Sequence, residues 1–169
     1  MLPTATPPAT PDDLFARLRD LGIAWTLHEH PPLFTVEDSK KLRGDLAGGH
    51  CKNLFLRDKK RNLYLVVTLE DRPIDLKALR AVLGGAGNLS FANAELLMAT
   101  LGVAPGAVTP FALINDRERR VSVFLDKQML GFDPLNYHPL SNAMTIAVSP
   151  ADLLRFVADC GHAPRIVDL

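Results

Sequence analysis

Two stretches that read as strands, Cys51 to Leu56 and Leu63 to Leu69, lie either side of the polar stretch Asp58-Lys59-Lys60-Arg61-Asn62. That spacing predicts a β-hairpin with a polar turn. It constrains the fold more than any other feature, because the rest of the chain must then pack on a sheet. Helix signals surround it. Thr10-Pro11-Asp12-Asp13 puts a capping hydroxyl, a first-turn proline and two acids at one start, and Leu14, Phe15, Leu18 and Leu21 follow at helical spacing up to Gly22. Asp75, Asn93 and Ser149-Pro150 open three more helices, and Thr35 is expected to cap a short one through Val36, Lys40 and Leu42 to Gly44. Further strands are expected over 24–28, 89–91, 145–148 and 165–167. A second hairpin is expected to join 112–115 to 121–125. Helices and hairpins are interspersed without strict βαβ alternation, so the fold class is α+β, a mixed, mostly antiparallel sheet with helices packed around it. One domain over 11–169 is expected, after a Pro-, Thr- and Ala-rich lead-in, residues 1–10, read as disordered.

Composition excludes several classes. The formal net charge is zero, which speaks against unspecific nucleic-acid binding driven by a basic excess. Local basic clusters remain: Lys40, Lys41 and Arg43, then Arg57, Lys59, Lys60 and Arg61, the second read as a solvated hairpin turn. No apolar run approaches the roughly 18–20 residues of a membrane span, and the N-terminus lacks a signal-peptide pattern. No membrane partner is expected, and the expected location is cytoplasmic. Cys51 and Cys160 read as two reduced thiols, with Cys51 beside Lys52 open to a lowered pKa. There is no P-loop, no zinc spacing and no G-x-S-x-G elbow. Gly84-Gly85-Ala86-Gly87 is a helix stop rather than a dinucleotide fingerprint. His28 and His30 share a strand face, but without a third ligand no metal is expected. No cofactor is expected.

Lys52 stands out. It sits in Gly49-His50-Cys51-Lys52-Asn53-Leu54-Phe55-Leu56, at the mouth of an otherwise apolar strand, where a buried ammonium is costly without a charged partner. A cation fixed to rigid sheet at a pocket edge is well placed to meet a phosphate or an ester oxygen. The stretches Gly106-Ala107-Val108-Thr109-Pro110 and His138-Pro139-Leu140-Ser141-Asn142 could complete the pocket, with the Lys52 amine facing the glycine-to-proline bend.

Together with His30-Pro31-Pro32-Leu33-Phe34-Thr35-Val36-Glu37, these stretches resemble the YbaK-type editing-domain family, and within it the free-standing Ala-tRNA(Pro) deacylases related to the editing insertion of bacterial prolyl-tRNA synthetase. The resemblance runs from about residue 10 to the end. It implies that Lys52 is the signature active-site residue, that Gly106 and Pro110 form the family's G-x-x-x-P loop, and that Asn53 and His138 hold the tRNA 3′ end or the aminoacyl group. Ala107 departs from the serine found in many relatives, which puts a side-chain role there in question. Thr35, Val108, Thr109, Phe111, Ser141 and Asn142 complete the candidate substrate contacts. Aminoacylated tRNA is the implied partner, with prolyl-tRNA synthetase a possible second; oligomeric state is not legible.

The implied reaction is hydrolysis of the ester joining alanine to tRNA(Pro). A synthetase pocket cannot fully reject a smaller amino acid, since a missing methylene is worth only about 1–3 kcal/mol. A second, tighter pocket, walled by residues such as Leu54, Phe111 or Val108, can exclude proline. Backbone N–H groups around Gly106 to Thr109 would stabilise the developing oxyanion, and Lys52 would anchor the terminal phosphate or polarise the substrate. The substrate's ribose hydroxyl is then the expected group to orient or activate the water, with His138 the alternative base. Two other readings compete: a catalytically silent module binding tRNA or DNA, and a deacylase for Cys-, Ser- or Thr-charged tRNA.

Overall fold

The computed structural model of the chain describes residues 6–32, 37, 38, 40, 41 and 46–169. These contain strands β1 (Thr26–Glu29), β2 (Gly49–Arg57), β3 (Leu63–Leu69), β4 (Ser90–Phe91), β5 (Val121–Asp126), β6 (Leu135–Tyr137), β7 (Met144–Val148) and β8 (Arg165–Val167). The helices are α1 (Pro11–Asp20), α2 (Leu76–Leu83), α3 (Ala94–Leu101) and α4 (Pro150–Asp159), and 3-10 turns cover Pro110–Asn115 and Met129–Gly131. One sheet runs β1-β7-β6-β2-β3-β5-β8, with β4 on β2. The β1–β7, β6–β7, β2–β3 and β2–β4 pairings are antiparallel; β2–β6, β3–β5 and β5–β8 are parallel. The fold is therefore the mixed, mostly antiparallel α+β sheet that the sequence predicts.

The central hairpin is present, paired from Cys51↔Leu69 to Arg57↔Leu63. Its turn is organised by Asp58, which is only 4% exposed. The Asp58 carboxylate accepts from the Lys60, Asn62 and Ala86 amides, the Asn62 side chain and the Tyr64 hydroxyl. Burial alone would raise its pKa; these donors outweigh that and hold it well below the usual carboxylate value.

The expected second hairpin is not formed. Residues 110–115 are a 3-10 turn, whose N-cap Thr109 accepts from the Phe111 amide, and β5 pairs in parallel with β3 instead. Pro110 fixes a helical φ at the turn's start, and Pro110 to Leu113 are all buried, without the alternation a half-exposed strand requires. β6 was not expected from the sequence.

Strand alternation divides the core in two. Phe55, Leu65 and Val67 face a large cluster closed by Leu14 and Leu18 of α1, Leu97 and Leu101 of α3 and Leu153, Phe156 and Val157 of α4. Leu56, Tyr64 and Val66 face a smaller cluster under Leu79 and Leu83 of α2. Every helix start named in the sequence that falls on described residues carries its side-chain cap, at Thr10, Asp75, Asn93 and Ser149. Residues 37, 38, 40 and 41 are helical, while the cap expected at Thr35 and the stop at Gly44 lie outside the described residues. Of the lead-in, residues 6–10 carry no regular structure, and the Ala9 amide donates to Asn115 Oδ1 at 2.8 Å. Among the described residues, no helix is long and apolar enough to cross a membrane.

Candidate active site

β2 is paired with β3 along 51–57, but its other edge is interrupted. That edge meets β6 at Gly49 and His50 and β4 at Leu56 and Arg57, with the Ala92 amide on the Phe55 carbonyl. Between them, residues 51–54 have no ladder partner on that edge among the described residues. The result is a notch in the sheet. Lys52 and Asn53 flank it from opposite faces, because consecutive strand residues alternate. Lys52 shares its face with Leu54 and Leu56, and its Nζ donates to the Arg72 carbonyl. Asn53 shares its face with Phe55, and its Oδ1 is buried without a hydrogen-bond partner.

β6 delivers His138 beside this notch, as the residue after Tyr137. His138 Nδ1 lies 2.8 Å from the Met144 carbonyl. A carbonyl can only accept, so Nδ1 carries the proton and the neutral ring keeps a lone pair on Nε2. Burial lowers the His138 pKa, the Met144 carbonyl opposes that, and the neighbouring His30 adds to the lowering. His30 is held in turn by the Pro31 carbonyl at Nδ1 and by Thr145 Oγ1 at Nε2, 2.8 and 2.9 Å away. Its ring centroid is 6.0 Å from those of both His28 and His138. In the loop after His138, Ser141 Oγ accepts from the Ala143 amide, and Asn142 reaches the opposing loop. Its Nδ2 is 3.8 Å from where a Cβ on Gly106 would sit.

Gly106 is exposed, with φ of +91°, a conformation glycine adopts at little cost. The Ala107 amide is taken by the Ala104 carbonyl at 3.0 Å. No hydrogen bond from the Gly106, Val108 or Thr109 amide is present among the described residues. Val108 is half-buried against the large core. Thr109 is fully buried, and Phe111, 1% exposed, packs edge-on to Tyr137 and Phe156.

The structure thus brings Asn142 up to Gly106, from the loop that also carries His138 and Ser141, with the His30 ring and Thr145 next to His138. One geometric expectation is corrected: the Lys52 amine does not face the glycine-to-proline bend. The bend packs with the large core, whereas Lys52 leaves β2 on the other face, towards Arg72. There it stands beside a cleft of about 750 Å³ lined by His50, Asp71, Arg72 and Gln128 among others. Arg72 donates to Gln128 Oε1 and lies 3.6 Å from Asp126, which accepts from Thr68. Nothing in the sequence signals this arrangement, since the key acceptor is a backbone carbonyl 20 residues away from Lys52. A lowered pKa at Cys51 is also not found. The thiol projects away from Lys52, and burial pushes it up to about 12. Among the described residues, no group of three His, Cys, Asp or Glu side chains is placed to hold a metal. Thr35 lies outside the described residues.

The pattern of the aminoacyl-tRNA editing domain family matches residues 30–156. The chain is 43% identical over 152 residues to prolyl-tRNA synthetase associated domain-containing protein 1 of Danio rerio, covering 89% of this chain and 82% of that protein. It is 38% identical over 157 residues to the prolyl-tRNA editing protein ProX of Acetoanaerobium sticklandii, covering 92% and 95%. A solved structure described as a candidate trans-editing enzyme for prolyl-tRNA synthetase superposes with a TM-score of 0.72 at 20% identity, over 95% of this chain and 97% of that one. That likeness matches the fold derived above, and the extent of the sequence match settles the relationship: the chain belongs to the aminoacyl-tRNA editing domain family.

Proposed function

We propose that the protein is a trans-editing deacylase that hydrolyses the ester of Ala-tRNA(Pro) and spares Pro-tRNA(Pro). The observation that supports this most directly is the meeting of the Gly106 bend with the His138–Asn142 loop beside the open edge of β2. There Asn142 Nδ2 lies 3.8 Å from the Cβ position of Gly106, and His138 presents a neutral imidazole acceptor.

In this reading water adds to the alanyl carbonyl carbon, the tetrahedral oxyanion collapses, and the bond to the ribose oxygen breaks with that oxygen taking a proton. Alanine and tRNA leave. The Gly106 and Val108 amides are the donors available to the oxyanion; the Ala107 amide is already engaged and Thr109 is buried in the core. Pro110 stiffens the loop behind them. The His138 Nε2 lone pair accepts from the attacking water or from a substrate hydroxyl, which orients the nucleophile. Asn53 Oδ1 accepts from the aminoacyl group or the terminal ribose. Of the two roles expected for Lys52, anchoring a 3′-end phosphate suits its position. Its Nζ spends one N–H on Arg72 and keeps two donors for an anion on the far side of the notch. Ser141 and Asn142 close the site and Val108 narrows it, while Thr109 and Phe111 set the loop from within the core.

Single-turnover deacylation of tRNAs charged with Ala, Pro, Ser, Cys and Thr tests the proposal. Ala-tRNA(Pro) is expected to be cleaved fastest and Pro-tRNA(Pro) spared. A panel in which none is cleaved above the buffer rate overturns it. Prolyl-tRNA synthetase, which the relatives' names mention, is the second partner of this proposal, to be tested by co-purification.

A further inference from the structure

The chain is neutral overall, yet its charge is segregated. The turn before β3 carries Arg57, Lys59, Lys60 and Arg61, all exposed. The parallel β3–β5 and β5–β8 pairings place the approach to β5 and the start of β8 on the same side of the sheet, with Leu63 opposite Val121 and Phe124 opposite Arg165. Arg119, Arg120 and Arg165 there line one groove of about 570 Å³, with Asn62 and Gly84 on its rim.

The nearby carboxylates do not neutralise this surface. Asp58 is buried and saturated by its five donors. Asp116 is buried 3.3 Å from His162 and accepts from the Arg120 and Val121 amides. Glu118 alone is an exposed acid in that turn. No described carboxylate lies within ion-pair distance of Arg119, Arg120 or Arg165. The cations are nevertheless seated. Arg119 lies over Gly161, where a Cβ would come within 2.6 Å of its Nε, and the Arg165 guanidinium sits 5.9 Å from the Phe124 ring centroid. Unpaired guanidinium groups on an open groove match the charge and the paired acceptor oxygens of a phosphodiester backbone.

We propose that this groove is a second tRNA contact, binding the sugar–phosphate backbone away from the 3′ end. The inference rests on the deacylase reading for the identity of its polyanion. β2 runs five residues from Lys52 to Arg57, roughly 16 Å, so one tRNA whose 3′ end enters the notch can lay its stem over the groove.

The test uses the double variant Arg120→Gln/Arg165→Gln and the charge-keeping Arg120→Lys/Arg165→Lys. Binding of uncharged tRNA is measured across a salt series, and hydrolysis is measured on both Ala-tRNA(Pro) and a short CCA-ended oligonucleotide carrying an alanyl ester. Each lost phosphate contact lowers the log–log salt slope by about 0.7–0.9, so the Gln variant should lose about 1.4–1.8 from the slope while the Lys variant keeps it. Cleavage of the short substrate should match wild type. An unchanged slope, or an equal loss of activity on short and full-length substrates, overturns the second contact. Failure of the wild type to cleave the short ester and the full tRNA alike would instead refute the deacylase reading and leave the salt result standing as binding alone.

Discussion

The sharpest test of the loop chemistry is Gly106→Ala. At φ of +91° an L side chain is strained, at about 1–2 kcal/mol by analogy with other left-handed positions. Sterics do not confuse the result, because a Cβ there would meet only Asn142 Nδ2, at 3.8 Å, an ordinary contact. The loop must therefore either hold the strain or move to negative φ, and a move turns the Gly106 peptide and redirects the Val108 amide. Losing one aimed donor in a preorganised site costs about 10²–10³ in rate. Global stability should fall by less than about 1 kcal/mol, because the residue is exposed in a loop that can relax. The assay is single-turnover deacylation of Ala-tRNA(Pro) beside urea denaturation of the same preparation. The expected result is a rate at least tenfold lower with a nearly unchanged midpoint. A variant cleaving within twofold of wild type would show that the bend does not aim the oxyanion donors.

Three further outcomes follow from the same geometry. Lys52→Ala should slow deacylation by about 10²–10³ while single-turnover cleavage of alanyl-adenosine, which lacks the 3′-end phosphates, changes far less; equal losses on both substrates would rule out a phosphate anchor. Because the folded His138 pKa is lowered, the ring stays neutral to below its ordinary value of about 6.5, so the enzymatic rate, corrected for uncatalysed hydrolysis, should rise with pH through a midpoint under that value and then level off. His138→Gln should abolish that inflection, and its persistence would assign it to another group. Asp58→Asn should cost about 2–4 kcal/mol, since either amide orientation sets an NH₂ group against two or three donors now served by one carboxylate oxygen. With its folded pKa lowered, Asp58 contributes stability above about pH 4 that is lost as the pH falls through the lowered value; the variant's denaturation midpoint should therefore vary less in acid, and parallel curves would contradict the assignment.

Much of the fold was legible because the signals were local. Thr10, Asp75, Asn93 and Ser149 cap where their sequence context says they should, and the 58–62 turn closes the hairpin it announces. What failed was non-local. The segment 112–115 is apolar enough for a strand, but Pro110 and the buried Thr109 cap commit it to a 3-10 turn, and β5 finds its partner in parallel across the sheet, a pairing no short-range pattern encodes. The candidate site divides along the same line. Motif order pointed to the Gly106 and His138 loops, and Asn142 does approach Gly106, but the direction of Lys52 depends on strand phase and on a carbonyl in another connection. Asn53, its neighbour, turned out to be the member facing the large core.

Strand phase also explains why such a site can exist on β2 at all. Leu54, Phe55 and Leu56 are apolar on both faces, as befits a strand covered by two clusters. The preceding His50, Cys51, Lys52 and Asn53 break that rule on both faces at once, and all four are half-buried. A strand covered on both sides tolerates polar groups in each direction only where its edge is open to something polar, and 51–54 is the stretch where the ladder to β6 has ended and that to β4 has not begun. The unpaired backbone there would be a liability in a closed sheet. On the deacylase reading proposed above, one substrate end lies there between two faces, with the amine on one side and the carboxamide on the other. Filling the notch should therefore damage both roles together. A bulky residue at Ala92, whose amide already bonds the Phe55 carbonyl at the edge of the gap, should weaken phosphate-dependent binding and ester cleavage in parallel. Loss of one without the other would mean that Lys52 and Asn53 serve separate sites.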